Sequence, residues 1–540
     1  MNLKSLKKKI LKFKNSNLLI ILGIGLFLRL FYLLQKTGNI FLPNLGGDTC
    51  YHYNIAYNIA TGIGPKTNFI FSYWFYHDKI PALTDLYGPG YHYFLSLFLL
   101  IKDEFILLRF SSLLVGLASI LLAFFLGKII HSKKLGYISA LIVCFNFFHI
   151  ENSTVIMREM FSLFLVQLFF LNLFMLKRNN LFFFSIGIII GYTALTISGW
   201  IILLFIFLFY SLLILNKNLQ LILNLFGFSI FFFLVIFSWG STSYQYFGKV
   251  LFNLTSYYPY IPDWGNMMFE IGLPNIDNFW KNVNLYEYLQ NHFVWGLKNF
   301  FKFHLVVFPT FAFPLSFVLL PTIFLATWKL RFKGFILLIF LIFYFFGLLF
   351  GSYALQGTLW PRHFLILLAP VSVLLGYGLI LIYNHLFKYN ILKKVEFFLS
   401  KFRVLVCFIP ILITIIGIQT KPSFWERDSS HFYKFGEKIK KVTRENDTIM
   451  LASTVSDGWC VTRRNFVQDI AFYDNPRSKY RIKQEVKKYK VNYLLIDLSG
   501  HIYQRGGASI EKVIKHYSKL NLVEILKDEV NGYYFYKIEN

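Results

Sequence analysis

Apolar stretches of about 17–25 residues recur along most of this chain, and a water-soluble fold has no interior large enough to hide so many of them. They lie near residues 17–35, 108–130, 136–149, 159–176, 180–197, 198–215, 219–239, 303–328, 334–353, 363–384 and 403–419, which predicts about eleven membrane spans. With 56% hydrophobic and 15% charged residues, against about 25% charged in an ordinary soluble domain, the surplus apolar surface needs lipid to cover it. A cleaved signal peptide does not explain the first run, which is too long and lacks a small-residue cleavage pattern after it.

A net charge of +27 would suit a nucleic-acid partner if the Lys and Arg formed one patch, but many lie in short loops between apolar runs, so no nucleic acid is expected. Cytoplasmic loops retain excess Lys and Arg. Segments 1–16, 131–135, 177–179, 216–218, 329–333 and 385–402 all carry them. Segments 36–107, 150–158, 240–302 and 354–362 hold most of the membrane region's Asp, Glu, Trp and Gly. Counting residues 91–101 as a span would invert every later loop, so YHYFLSLFLLI reads as an interfacial or re-entrant helix. The expectation is a multi-pass plasma-membrane protein with a cytoplasmic N-terminus and an extracytoplasmic C-terminal domain.

From about residue 420 the polarity becomes ordinary and the pattern alternates. Residues 429–445 and 509–520 read as amphipathic helices, and 447–454, 492–497 and 532–538 as strands. The fold class is therefore mostly α: a polytopic transmembrane helical bundle over 1–419 with a small C-terminal α/β soluble domain over 420–540. Cysteines 50, 144, 407 and 460 show no CxxC or metal-ligand spacing and support neither a zinc site nor a disulfide framework; Cys144 and Cys407 read as membrane core. No phosphate-binding glycine loop and no internal repeat stands out.

Several outer segments carry residues suited to chemistry. In GGDTCYHYN, Asp48 follows Gly46 and Gly47, which allow backbone to approach a ligand closely. The loop HIENSTVIMREMF holds Glu151, Arg158 and Glu159, the last at the start of a span, where an acid is expensive unless paired or functional. The long 240–302 loop offers Asp263, Trp264 and Glu270. WPRHFLILLAP places Arg362 and His363 at the outer end of an apolar run, where a guanidinium suits a phosphate at the bilayer surface. The plain alternatives are a solvated Asp48, an Arg158–Glu159 pair and interfacial snorkelling by Arg362. Taken together, the groups suit transfer chemistry at the lipid interface: a carboxylate handles the acceptor and a cation the phosphate leaving group.

In order, GGDxxYH, YGPGYHYFLSLF, ENSTVIMRE and WPRHFLILLAP resemble the GT-C superfamily of membrane glycosyltransferases. That superfamily includes protein O-mannosyltransferases, lipid A aminoarabinose transferases and the catalytic subunit of oligosaccharyltransferase. The likeness implies inverting transfer of a sugar from a polyprenyl-linked donor to a protein or glycolipid acceptor in the cell envelope. It implies Asp48 and Glu159 as catalytic acids, with Glu151 as the second choice for the latter, and Arg362 near the donor phosphate with His363 beside it. In the oligosaccharyltransferase branch Glu270 would meet the acceptor amide, and a divalent cation, Mg or Mn, would be held by carboxylates such as Asp48 and Glu159. That branch carries a Trp-Trp-Asp-Tyr-Gly motif; here STVSDGWCVT keeps Asp457 and Gly458, with Trp459 beside them, but lacks the paired Trp and the Tyr. The general transferase reading is therefore preferred, with oligosaccharyl transfer as its close variant. A transporter or flippase is the competing class, but few charges lie deep in the runs and no repeated halves appear. Asn152, Asn253 and Asn446 head N-x-S/T triplets of the chain's own.

Overall fold

The computed structural model describes residues 16–36, 39–43, 45, 48–70, 77–176, 179–214, 219–253, 294, 315–351, 361–388, 403–420, 430–451, 455–468, 476–498 and 509–539. Asp263, Trp264, Glu270, Gly46 and Gly47 lie outside them, as do the side chains of Arg362, His363 and Cys407.

The apolar runs form helices. Helix α1 spans Ser16–Lys36, and after a short turn α2 (Thr49–Ala60) carries the YHYN sequence. The ten-residue α3 (Gly90–Leu99) rises only about 15 Å and is too short to cross a bilayer. Helices α4 (Phe105–Ile130), α5 (Lys133–Phe145), α6 (Phe147–Asn152) and α7 (Arg158–Met175) follow, then α8 (Leu181–Ala194), α9 (Trp200–Ile214) and α10 (Leu219–Phe247). Among the described residues six helices are long and apolar enough to span a membrane, and three shorter apolar ones accompany them. The protein is an integral membrane protein.

Two boundaries differ from the sequence expectation. The apolar run 136–149 is not one helix, because the Asn146 side chain accepts a bond from the His149 amide at 2.9 Å and starts α6 afresh. The runs predicted at 303–328 and 334–353 join as Leu315–Gly351, but Arg331 at φ 54° breaks the helical path, so two helices meet there. Lys333, just past that break, donates to the Ile129 and Ile130 carbonyls at 3.0 and 3.4 Å, neutralising the C-terminal end of α4. A 3-10 turn at Pro361–Leu367 leads into Leu368–Lys388, and Arg403–Thr420 closes the helical part.

Beyond it lies a six-stranded sheet. Its strands are Phe69–Ile70, Asn465–Gln468, Thr448–Leu451, Val491–Asp497, Tyr533–Glu539 and Asn521–Asp528 in spatial order. The first four are parallel to one another and the last two run antiparallel to their neighbours; helix Val455–Thr462 links the neighbours Thr448–Leu451 and Asn465–Gln468, and Pro476–Lys488 carries the chain from Asn465–Gln468 to Val491–Asp497 on the other side of Thr448–Leu451. The three strands expected in the tail are present. The edge strand Phe69–Ile70 comes from the first loop, with Phe69 opposite Phe466 and Ile70 opposite Val467. One face of the sheet, through Leu451, Phe466 and Phe535, joins the apolar core of the membrane helices; Met450, Val467, Leu494 and Ile482 form a second core on the other face.

Candidate active site

Two buried arginines and a pair of glycines bring the loops together. Arg109 on α4 donates to the Leu42 carbonyl at 3.0 Å and the Thr154 carbonyl at 3.3 Å, tying the start of the first loop to the second. Arg29, fully buried on α1, contacts the His149 ring, and Tyr32 one turn later donates to Glu151 at 2.9 Å. At Gly88 and Gly90 a side chain would run into the Leu195 backbone, at 2.4 and 2.9 Å, while the Gly90 amide donates to the Leu195 carbonyl. Only glycine lets the YGPG segment seat α3 against the end of α8.

Asp48 sits partly buried at the N-terminus of α2 and accepts a hydrogen bond from the Tyr87 hydroxyl at 3.2 Å. The Arg158 guanidinium lies over the Tyr87 ring, 3.8 Å from its centroid, and its Nε is 3.9 Å from Glu159. Glu159 is buried in the first turn of α7, where a negative charge meets the positive end of the helix dipole. Asp48, Tyr87, Arg158 and Glu159 thus form one chain of contacts assembled from the first loop, the YGPG segment and the second loop. One helical turn beyond Asp48, His52 shares a 2.9 Å hydrogen bond with His92, and both rings are fully buried. The His52 ring stacks on Tyr87 at 5.4 Å. Burial holds His92 well below the ordinary imidazole range, and the charges of His52 and Arg158 push it the same way.

Behind this cluster the tail is fastened to α2. Cys50 and Cys460 form a disulfide, with Cα atoms 5.7 Å apart, which overturns the reading that the cysteines supply no disulfide framework. Trp459 packs edge-on to Tyr53 at 5.5 Å, and Arg463 lies over Trp459, Tyr53 and Tyr57. The Tyr53 hydroxyl donates to Asp103 at 2.7 Å, and burial raises that phenol's pKa. Asp457 and Trp459 are both buried, so of the tail candidates the indole serves as packing against α2. The residue that the sequence offered only as an ion-pair partner, Arg158, is central; Tyr87, His52 and His92 stood in quoted motifs without a role.

Among the described residues no three His, Cys, Asp or Glu side chains come together, and Arg158 already stands beside Glu159 with its own positive charge.

Neither a family model nor a curated protein matches the chain by sequence. Solved structures do match. The archaeal oligosaccharyltransferase AglB from Archaeoglobus fulgidus, in complex with an inhibitory peptide and a dolichol-phosphate, aligns over 97% of this chain and 74% of its own at 14% identity and TM-score 0.58. ArnT from Cupriavidus metallidurans, bound to undecaprenyl phosphate, aligns over 97% and 98% at 10% identity and TM-score 0.59. The chain shares the fold of these two solved structures. Within this fold the segment Pro361–Leu367, which carries Arg362 and His363, packs on α7, the helix that carries Arg158 and Glu159. Glu151 belongs to a neighbouring cluster with Tyr32.

Proposed function

We propose that this protein transfers a sugar from a polyprenyl-phosphate-linked donor to a protein or glycolipid acceptor on the non-cytoplasmic side of the membrane, with inversion at the anomeric carbon. The observation that carries the reading is the convergence of Asp48 and Glu159, from two separate loops, on Tyr87 and Arg158. Scattered carboxylates would favour a transporter or a scaffold. In the reaction the acceptor nucleophile attacks the anomeric carbon opposite the carrier oxygen. The bond from that carbon to the phosphate oxygen breaks with its electron pair on the polyprenyl phosphate, and Asp48 takes the acceptor's proton. Glu159 orients the acceptor or the guanidinium beside it. Arg362, on the segment packed against α7, acts on the leaving phosphate, with His363 beside it. The Cys50–Cys460 disulfide supports an oxidising, extracytoplasmic setting for this face. Oligosaccharyl transfer to a sequon is the close variant, and Glu270 would be its acceptor residue.

Purified protein supplied with labelled polyprenyl-linked sugars tests the reading. Label should move to a protein or glycolipid fraction; a panel of such donors with no transfer in the presence of membranes as acceptor source would sink it. Arg362→Ala should raise the KM for the lipid donor about tenfold with kcat less affected. A KM equal to wild type would remove Arg362 from the phosphate.

A further inference from the structure

Arg158 holds more donor capacity than its neighbours use. Its side chain is only 13% exposed, and its Nε lies 3.9 Å from Glu159, too far for a hydrogen bond. Its Nη1 is buried and has no hydrogen-bond partner among the described residues. Leaving a charged donor unpaired in a buried place costs free energy that a bound anion would recover. The guanidinium carbon lies over the Tyr87 ring, 3.8 Å from its centroid, which anchors one side of a planar N–H fork whose shape matches two oxygens of a phosphate.

The surroundings agree. Arg158 opens the 18-residue helix α7, and the preceding Met157 is extended and supplies no side-chain cap, so the positive end of the helix dipole adds to the charge of Arg158. Tyr344 lies within electrostatic reach of both Arg158 and Glu159, and the next residue, Phe345, packs against Phe364 at 5.9 Å. Arg158 therefore stands close to the segment on which Arg362 is carried.

From these contacts we infer that Arg158 binds the phosphate of the lipid-linked donor, with the Tyr87 ring as the platform under its guanidinium. The inference rests on the donor reading above and assigns the phosphate to a residue of the second loop. Tyr87 then joins the phosphate end of the site to Asp48.

The test measures binding of a short-chain polyprenyl monophosphate and of the uncharged polyprenol to the full-length protein in nanodiscs, with EDTA present so that protein charge alone acts. Wild type should prefer the phosphate by tenfold or more. Arg158→Gln should lose most of that preference while its affinity for polyprenol stays unchanged, and Arg158→Lys should recover part of it. A purely structural role would lower both affinities together. Arg158→Gln with the wild-type preference overturns the inference and leaves the donor reading standing. A wild type that does not distinguish the two lipids overturns both. Displacement of the lipid by millimolar inorganic phosphate would assign the place to free phosphate and overturn the lipid assignment. Should the Gln variant not fold, the Lys variant decides alone: an unaltered preference at reduced donor geometry overturns the bidentate role.

Discussion

Tyr87 serves two partners with one side chain, its hydroxyl on Asp48 and its ring under Arg158. Tyr87→Phe keeps the platform and removes the hydroxyl. A hydrogen bond to a charged group contributes about 1.5–3 kcal/mol, so turnover should fall about tenfold or more with melting unchanged. Full turnover in a steady-state transfer assay would show that Asp48 needs no such positioning. The buried His52–His92 pair gives a second residue-scale outcome. Because the folded His92 pKa is depressed, the unfolded chain binds more protons below about pH 6.5, and stability falls as the pH drops through that value. Melting followed from about pH 8 to pH 5 should show this decline, and His92→Asn should flatten it. An equally steep decline in the variant would assign the effect elsewhere. Neither Tyr87 nor His92 could be given a role from sequence, since Tyr and His in an aromatic-rich run look like packing until a partner 40 residues away is known. Glu159 was singled out because an acid at the start of an apolar run is costly and so conspicuous, and Asp48 because it follows Gly46 and Gly47 in the first outer segment. Arg158 was visible only as Glu159's neighbour, because its loose 3.9 Å contact and unused Nη1 are matters of geometry.

At the scale of elements, α2 is the pivot. It starts at Asp48, is fastened by Cys50 to Cys460, and is followed by the strand Phe69–Ile70 that joins the tail's sheet. Replacing Cys50 by Ser, or reducing the disulfide, should destabilise the protein by about 2–4 kcal/mol. The drop should appear as a lower melting temperature of wild type in reductant, with no further drop for the variant; a melting curve indifferent to reductant would deny the clamp its role. Gly90→Ala should cost about 1–3 kcal/mol, since the added carbon meets the Leu195 backbone, which cannot swing aside as a side chain can. A melting temperature equal to wild type would show that the seam between α3 and α8 gives way. Most of the apolar helices were legible, because hydropathy is a local signal. The disulfide and the edge strand were not. Their partners lie about 400 residues apart, and two residues of strand carry no periodicity of their own.

For the whole molecule, one apolar core runs from the membrane helices through the first loop into the inner face of the sheet. Loop, bundle and tail therefore hold Asp48 between them. That architecture explains why two carboxylates and an arginine meet beside the segment Pro361–Leu367 at one end of a helical bundle, as the transfer reading requires. It also explains why the tail begins in sequence near residue 420 but gains a strand from residues 69–70. The most direct measurement compares wild type, Asp48→Asn and Glu159→Gln for transfer of labelled sugar from a polyprenyl-linked donor, with melting and an intact Cys50–Cys460 bond verified for each. Wild type should transfer the label, and Asp48→Asn should lose at least a hundredfold in rate while melting as wild type does. Transfer by Asp48→Asn at the wild-type rate would contradict it.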